Sequence, residues 1–285
     1  FLKKHVLLDN GNCAYLLTDD GKPLEAFPGS GLDSSFYADC FVVLGFAEYA
    51  RAIRDESAVN WAYQRYERIA ERVSLHDLLC EPYPIPEGYR AHSVSMIMLN
   101  VSQVLAEALQ EFGHPGIQKV KRDMGLHLQE IMEFFLDAQT DTIRELIPER
   151  EQDHDTRLAR HLNPGHALEC MWFVMDAAEA LGQDDYVHKA TQVIGQSFDM
   201  GWDEEYGGLL RFVDLDGGKP RGREVGSRYE QLIADTWDMK LWWPHSEALY
   251  ALLRAYYASR DRQFLDRYQK LHDYVFQTFP NGDKS

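Results

Sequence analysis

An all-α fold, built as a toroid of helical hairpins, is predicted by three features of the sequence. Apolar residues recur at helical spacing through most of the chain. The helical stretches come in close pairs. Several are apolar around most of their circumference, as helices buried on most sides would be. In the first pair, Phe36, Cys40, Val43, Leu44, Ala47 and Ala50 form one stripe between Ser35 and about Glu56. A second helix is predicted from Ser57, read as its N-cap, to about Cys80. Pro82, Pro84 and Pro86 remove three backbone donors and make residues 81–89 a loop. The second pair covers about Ala91–Phe112 and Ile117–Gln139, broken at Gly113-His-Pro-Gly116. The third covers Pro164–Leu181 and Asp184–Met200, and the fourth Pro244–Ser259 and Arg260–Phe279.

Longer connectors between the pairs look partly extended. Residues 14–27 read as a hairpin, two apolar arms about Asp20-Gly21. Residues 208–217 repeat that design, and Thr142-Ile-Arg-Glu-Leu-Ile147 echoes it more weakly. An open solenoid of helix pairs is the competing arrangement. Long polar and aromatic loops on one side favour the toroid. No linker divides the chain, so one domain is expected over residues 1–285.

Composition narrows the function classes. Among 285 residues, Lys+Arg 29 against Asp+Glu 46 leave a formal charge of −17, with no basic stripe. Such a surface repels a phosphate backbone, so no nucleic-acid partner is expected. No run approaches the roughly 18 apolar residues of a membrane span, and no signal-peptide pattern opens the chain. A cytoplasmic location without a membrane partner is therefore expected. Cys13, Cys40, Cys80 and Cys170 are scattered, without a CxxC, and read as reduced thiols. The chain lacks HExxH and DxDxDG patterns, so no metal is expected. It also lacks GxGxxG and GxxxxGK[ST], which argues against a nucleotide-binding α/β domain.

Two segments carry chemistry. In Leu162-Asn-Pro-Gly-His-Ala-Leu-Glu-Cys-Met-Trp172, Asn163 suits an N-cap and Pro164 the first helical position. His166 then lies in the first turn, where the positive end of the helix dipole is expected to hold it neutral and able to accept a proton. Glu169 falls one turn later on the same face, placed to orient the ring or hold a sugar hydroxyl. A plain capping role for both is the alternative. In Lys240-Leu-Trp-Trp-Pro-His-Ser-Glu-Ala248, Pro244 marks a helix start with His245 and Glu247 in its first turn. Trp242 and Trp243 stand just before it, either as core anchors or as rings that stack on a pyranose. Two helix starts, each with a Pro, a His and a Glu, suggest one shared cavity. His92 and Tyr37 open other helices and are weaker candidates. His154 and His161 are expected to be solvated.

At these residues the sequence resembles the N-acylglucosamine 2-epimerase family. Asn163-Pro-Gly-His-Ala-Leu-Glu169 with Trp172, and Lys240-Leu-Trp-Trp-Pro-His-Ser-Glu247, look like its two signature segments. Ser35-Phe-Tyr-Ala-Asp-Cys-Phe41 and Gly201-Trp-Asp-Glu-Glu-Tyr-Gly-Gly208 are similar to further ones. The resemblance implies an (α/α)6 barrel and chemistry at the carbon beside a sugar carbonyl. By position, it implies that His166 is one of two catalytic histidines and Glu169 the acidic residue one turn on. Trp243 and Glu247 match the sugar site, with Trp242 beside them. His245 belongs to the motif without an assigned proton-transfer role. Tyr37 matches a substrate-contacting tyrosine, and His92 lies near a further histidine of some members. Family chains carry more helix before the part matching Phe1, and a Phe-His-x-Pro-Arg segment with the second histidine. Neither is present here, so either residues are missing from the sequence or the protein is truncated with an incomplete site.

The resemblance implies no required cofactor, ATP as an effector at most, and a homodimer as in many members. The reading is a sugar 2-epimerase interconverting N-acylglucosamine and N-acylmannosamine by His-mediated proton transfer at C2. An aldose–ketose isomerase of mannose-like sugars and a non-catalytic sugar-binding member are the alternatives. A glycoside hydrolase would need Glu169 and Glu247 as its carboxylate pair.

Overall fold

A computed structural model describes residues 1–279. The chain divides into two compact units, one of residues 1–85 and 97–124 and the other of residues 86–96 and 125 onward.

In the first unit a short helix α1 (Leu2–His5) leads to the hairpin predicted about Asp20-Gly21, with β1 (Leu16–Leu17) paired antiparallel to β2 (Pro23–Leu24). Helices α2 (Tyr37–Ile53) and α3 (Glu56–Ser74) follow. Cys40, Val43, Ala47 and Ala50 on α2, and Ala58, Val59, Ala62 and Tyr66 on α3, are buried, as the apolar stripe requires. The cap of α3 is Asp55 and not Ser57, because its carboxylate accepts from the amides of Ser57 and Ala58. The helix also stops at Ser74, six residues earlier than predicted, and Cys80 instead bridges Ser35 in extended backbone. A buried ion pair, Arg72 to Asp39 at 3.1 Å, ties α3 to α2, and Asp39 accepts the Cys13 amide at 2.8 Å.

Next come β3 (Tyr89–Ala91), α4 (His92–Glu111) and α5 (Ile117–Glu130). The α-helical turns of α5 end nine residues before the predicted Gln139, in a π turn over Ile131–Phe135. Strand β4 (Leu136–Asp137) then pairs with β5 (Thr142–Ile143), whereas β6 (Leu146–Pro148) pairs with β3. The predicted extended segment 142–147 is thus split between two ribbons, and Glu145 lies at the split.

In the second unit α6 (Arg157–Arg160) and β7 (His161–Leu162) lead into α7 (Pro164–Leu181), α8 (Asp184–Gly201) and β8 (Val213–Asp214). The predicted hairpin over 208–217 does not form, since β8 pairs with β7. Helix α9 (Arg228–Thr236) was not predicted, although Ser227 and Glu230 form a reciprocal capping box that the sequence spells out. Helices α10 (Trp242–Ser259) and α11 (Gln263–Thr278) complete the unit. Because α10 begins at Trp242, both tryptophans lie inside its first turn and not before it. Helix α7 is buried on most sides, from Ala167 and Leu168 to Ala177 and Ala178, and packs against α8 and α10.

All four cysteines are free thiols, three of them buried. Among the described residues no helix is long and apolar enough to cross a membrane.

Candidate functional site

The two signature segments meet in the second unit, and a glycine allows it. A Cβ on Gly165 would stand 2.8 Å from Pro244 Cβ and 3.1 Å from the Trp243 ring. Only a residue without a side chain lets the starts of α7 and α10 approach so closely. Gly201 does the same at the end of α8, where a Cβ would lie 2.7 Å from Pro164. The start of α7 is therefore wedged between its neighbours.

Asn163 caps α7 as predicted, accepting the His166 amide through its side-chain oxygen at 3.2 Å. The His166 ring lies 5.5 Å from the Trp243 ring at a tilt of 35°. Its side chain is 25% exposed, so it is neither sealed in the core nor free in solvent. Trp172, two turns along α7, donates its indole N–H to Glu247 Oε2 at 2.9 Å. Both helices thus contribute to one cluster of His166, Glu169, Trp243 and Glu247.

Glu145, which no motif singles out, decides the electrostatics. His166 Nδ1 donates to Glu145 Oε1 at 2.8 Å, and the Glu145 side chain is 5% exposed. Burial lowers the proton affinity of His166, but the Glu145 carboxylate and, less strongly, Glu169 outweigh it. The imidazole is held above its ordinary range, opposite to the expectation from the helix dipole. A direct carboxylate contact in a buried setting is stronger than the diffuse charge of a helix end. Burial pushes Glu145 up in turn, yet His166 and His92 together hold it well below the usual carboxylate range. Glu169 goes the other way. Burial, aided by the charges of Glu247 and Glu145 against the pull of His166, lifts it to about 7. Within one helical turn, an imidazole made more basic than usual stands beside a carboxyl that exchanges its proton near neutrality.

The other candidates are placed differently. His245 is fully buried, and its ring lies 5.4 Å from that of Tyr274 at 21°. Leu209 N–H donates to its Nε2 at 2.9 Å, and its Nδ1 donates to Leu241 O at 2.5 Å. With both nitrogens engaged by backbone and burial lowering its proton affinity, His245 anchors the start of α10 and has no ring atom free for a sugar. Trp242 is 69% exposed. His92 is fully buried, its Nδ1 3.8 Å from Glu145 Oε2. His161 is not solvated as expected but fully enclosed, with Nδ1 donating to Leu158 O at 2.7 Å, because β7 carries it beneath Phe212 and Tyr229. His154 is exposed. Tyr37 belongs to the first unit, where it helps line a cavity of about 860 Å3 with Tyr15, Phe41 and Ser35. No group of three His, Cys, Asp or Glu side chains among the described residues is arranged to hold a metal.

Glu145 left one sequence signal: an acidic residue amid the apolar neighbours of an extended segment. Such a charge points either to solvent or to a buried partner.

Comparison with known families decides the affiliation. The family profile described as N-acylglucosamine 2-epimerase (GlcNAc 2-epimerase) matches residues 17–282. The chain belongs to the N-acylglucosamine 2-epimerase family. The N-acylglucosamine 2-epimerases of Bos taurus and Homo sapiens are each 28% identical to it over 94% of its length. The chain spans 58% of the length of either of these relatives. Solved structures similar to this family member include a cellobiose 2-epimerase from Bacillus thermoamylovorans, with TM-score 0.73, 15% identity, and coverage of 99% of this chain and 69% of that one. A D-mannose isomerase gives TM-score 0.71 at 17% identity, covering 98% and 68%. A family 76 glycoside hydrolase from Bacteroides thetaiotaomicron gives 0.64 at 8% identity, covering 98% and 55%. These likenesses show the fold, which is all-α and of the α/α-barrel class. That fold also houses a hydrolase, so it does not select a reaction.

Proposed function

We propose that this family member carries the proton-transfer site of a sugar 2-epimerase acting on N-acylglucosamine and N-acylmannosamine. The observation that carries the reading is the meeting of the two helix starts, which gathers His166, Glu169, Trp243 and Glu247 into one cluster. Family membership and the names of the relatives support this choice of substrate class.

In the open-chain sugar the aldehyde acidifies the hydrogen on C2. In its neutral form, with Nδ1–H donated to Glu145, His166 presents a bare Nε2 that takes this proton, and the carboxylate contact makes that nitrogen a stronger base than a free imidazole. The electrons of the C2–H bond form the C1–C2 double bond of an enolate, with the N-acyl group still on C2, and the carbonyl oxygen takes the negative charge. Return of a proton to the opposite face of C2, from a second acid–base group, gives the epimer. Glu169, lifted to about 7, is suited to exchange a proton with a sugar oxygen during this cycle. Trp243 provides a flat wall for the sugar carbons, and Glu247, oriented by Trp172, an acceptor for a hydroxyl.

The test is incubation with N-acylmannosamine or N-acylglucosamine in D2O, followed by proton NMR. Deuterium should enter at C2, and His166→Ala should abolish the exchange. In a parallel incubation with mannose, which has the C2 hydroxyl a ketose requires, deuterium at C1 with a ketose product would reassign the chain as an isomerase. Absence of label with either sugar refutes the proposal.

A further inference from the structure

We infer that Glu145 is the positioning residue of His166: an enclosed carboxylate, shared between two imidazoles, that dictates which nitrogen of His166 faces the sugar and how firmly that ring keeps its proton. His92 is the second, fully interior partner. For its kinetic consequences the inference rests on the proton-transfer reading above. Its structural content does not.

The argument begins with burial. Glu145 is 4% exposed, and a carboxylate removed from water must find partners for its lone pairs. Neither lysine nor arginine pairs with it among the described residues. Its partners are His166 Nδ1 at 2.8 Å on Oε1 and His92 Nδ1 at 3.8 Å from Oε2. The backbone locks this arrangement. The His92 amide donates to the Glu145 carbonyl at 3.0 Å, directly beyond the last rung of the β3–β6 ladder, Ala91 opposite Leu146. The start of α4, the turn at Glu145 and the start of α7 therefore converge on one carboxylate.

His92 supplies the second observation. It has no exposed surface, its ring meets that of Phe135 edge-on at 5.6 Å, and neither ring nitrogen has a hydrogen-bond partner. Orphan nitrogens on an enclosed imidazole are costly, and the acceptor nearest at hand is Glu145 Oε2. A small closing movement converts 3.8 Å into a hydrogen bond, so His92 and His166 compete for the same charge. Glu169 from α7, His161 from β7 and Arg211 from the connector after α8 add their fields to this group. Because Nδ1 of His166 is spent on Glu145, Nε2 remains unclaimed by the protein among the described residues.

The test uses the intact chain with nitrogen-15 labelled histidine, following the His166 ring by NMR across pH. Glu145→Gln keeps the size and an acceptor oxygen but removes the charge, and His166 should titrate about one pH unit lower or more. Glu145→Asp keeps the charge and should restore most of the wild-type titration. His92→Phe leaves the carboxylate to His166 alone, so His166 should titrate higher than in the wild type. In the exchange assay Glu145→Gln should lower kcat with little change in KM, and its acid limb should move to lower pH. An unchanged His166 titration in Glu145→Gln overturns the inference, and an unchanged titration in His92→Phe overturns the shared carboxylate. Should no sugar exchange at all, the proposed activity fails while the titration still decides the role of Glu145.

Discussion

Glu169 stores a pH-dependent destabilisation that a single substitution should release. Its carboxyl is lifted from 4.5 to about 7 by burial and by the neighbouring Glu247 and Glu145 charges. A folded state that holds a proton more tightly than the unfolded chain loses stability as pH rises between the two values. Here that window runs from 4.5 to about 7, with the penalty complete above it. The interval corresponds to about 3 kcal/mol at about 1.36 kcal/mol per pH unit. Glu169→Gln cannot ionise, so it should be more stable than the wild type by up to about 3 kcal/mol near pH 8, with the difference fading toward about pH 4.5. Urea unfolding of both proteins across this range measures it directly. The same variant should exchange the sugar C2 hydrogen poorly, in the usual trade of stability for activity. Parallel stability curves for the two proteins across the whole range would show that Glu169 is not held near neutrality, and the acid–base role assigned to it would go too.

Two further substitutions probe the scaffold. Gly165→Ala places a methyl 2.8 Å from Pro244, so the starts of α7 and α10 must separate. An overpacking cost of about 1–3 kcal/mol and a loss of sugar affinity larger than the stability loss alone explains should appear in denaturation and binding assays. Asp39→Ala leaves Arg72, 6% exposed, as an uncompensated buried charge. It should cost about 3–5 kcal/mol in chemical denaturation, whereas the double change Asp39→Leu with Arg72→Met should recover much of that loss.

Local patterns in the sequence were read correctly where a nearby side chain settles the backbone. Asn163 and Pro164 start α7 where predicted, and Gly182 in the left-handed conformation ends it. The hairpin about Asp20-Gly21 forms for the same reason. The extended connectors depart from their local pattern where a distant segment competes for the backbone. Residues 208–217 have hairpin spacing, but β8 finds β7 a better partner. Residues 142–147 weakly echo the hairpin pattern but are divided between β4 and β3. Of the candidate site, the cluster of His166, Glu169, Trp243 and Glu247 is legible in the sequence because these residues sit on two motifs at helix starts. Glu145 was not, since its importance comes from a fold that carries it to a histidine 21 residues away. His245 shares a motif with Glu247, yet it turns inward and is consumed by backbone.

The order of residues alone determined the helical class, the start of α7 and the family to which the chain belongs, because these depend on groups a few positions apart. Tertiary structure decided which histidine stays reachable, which carboxylate it leans on and which acid hovers near neutrality. Proton affinity in a buried site follows distance and dehydration, and both are properties of the folded chain.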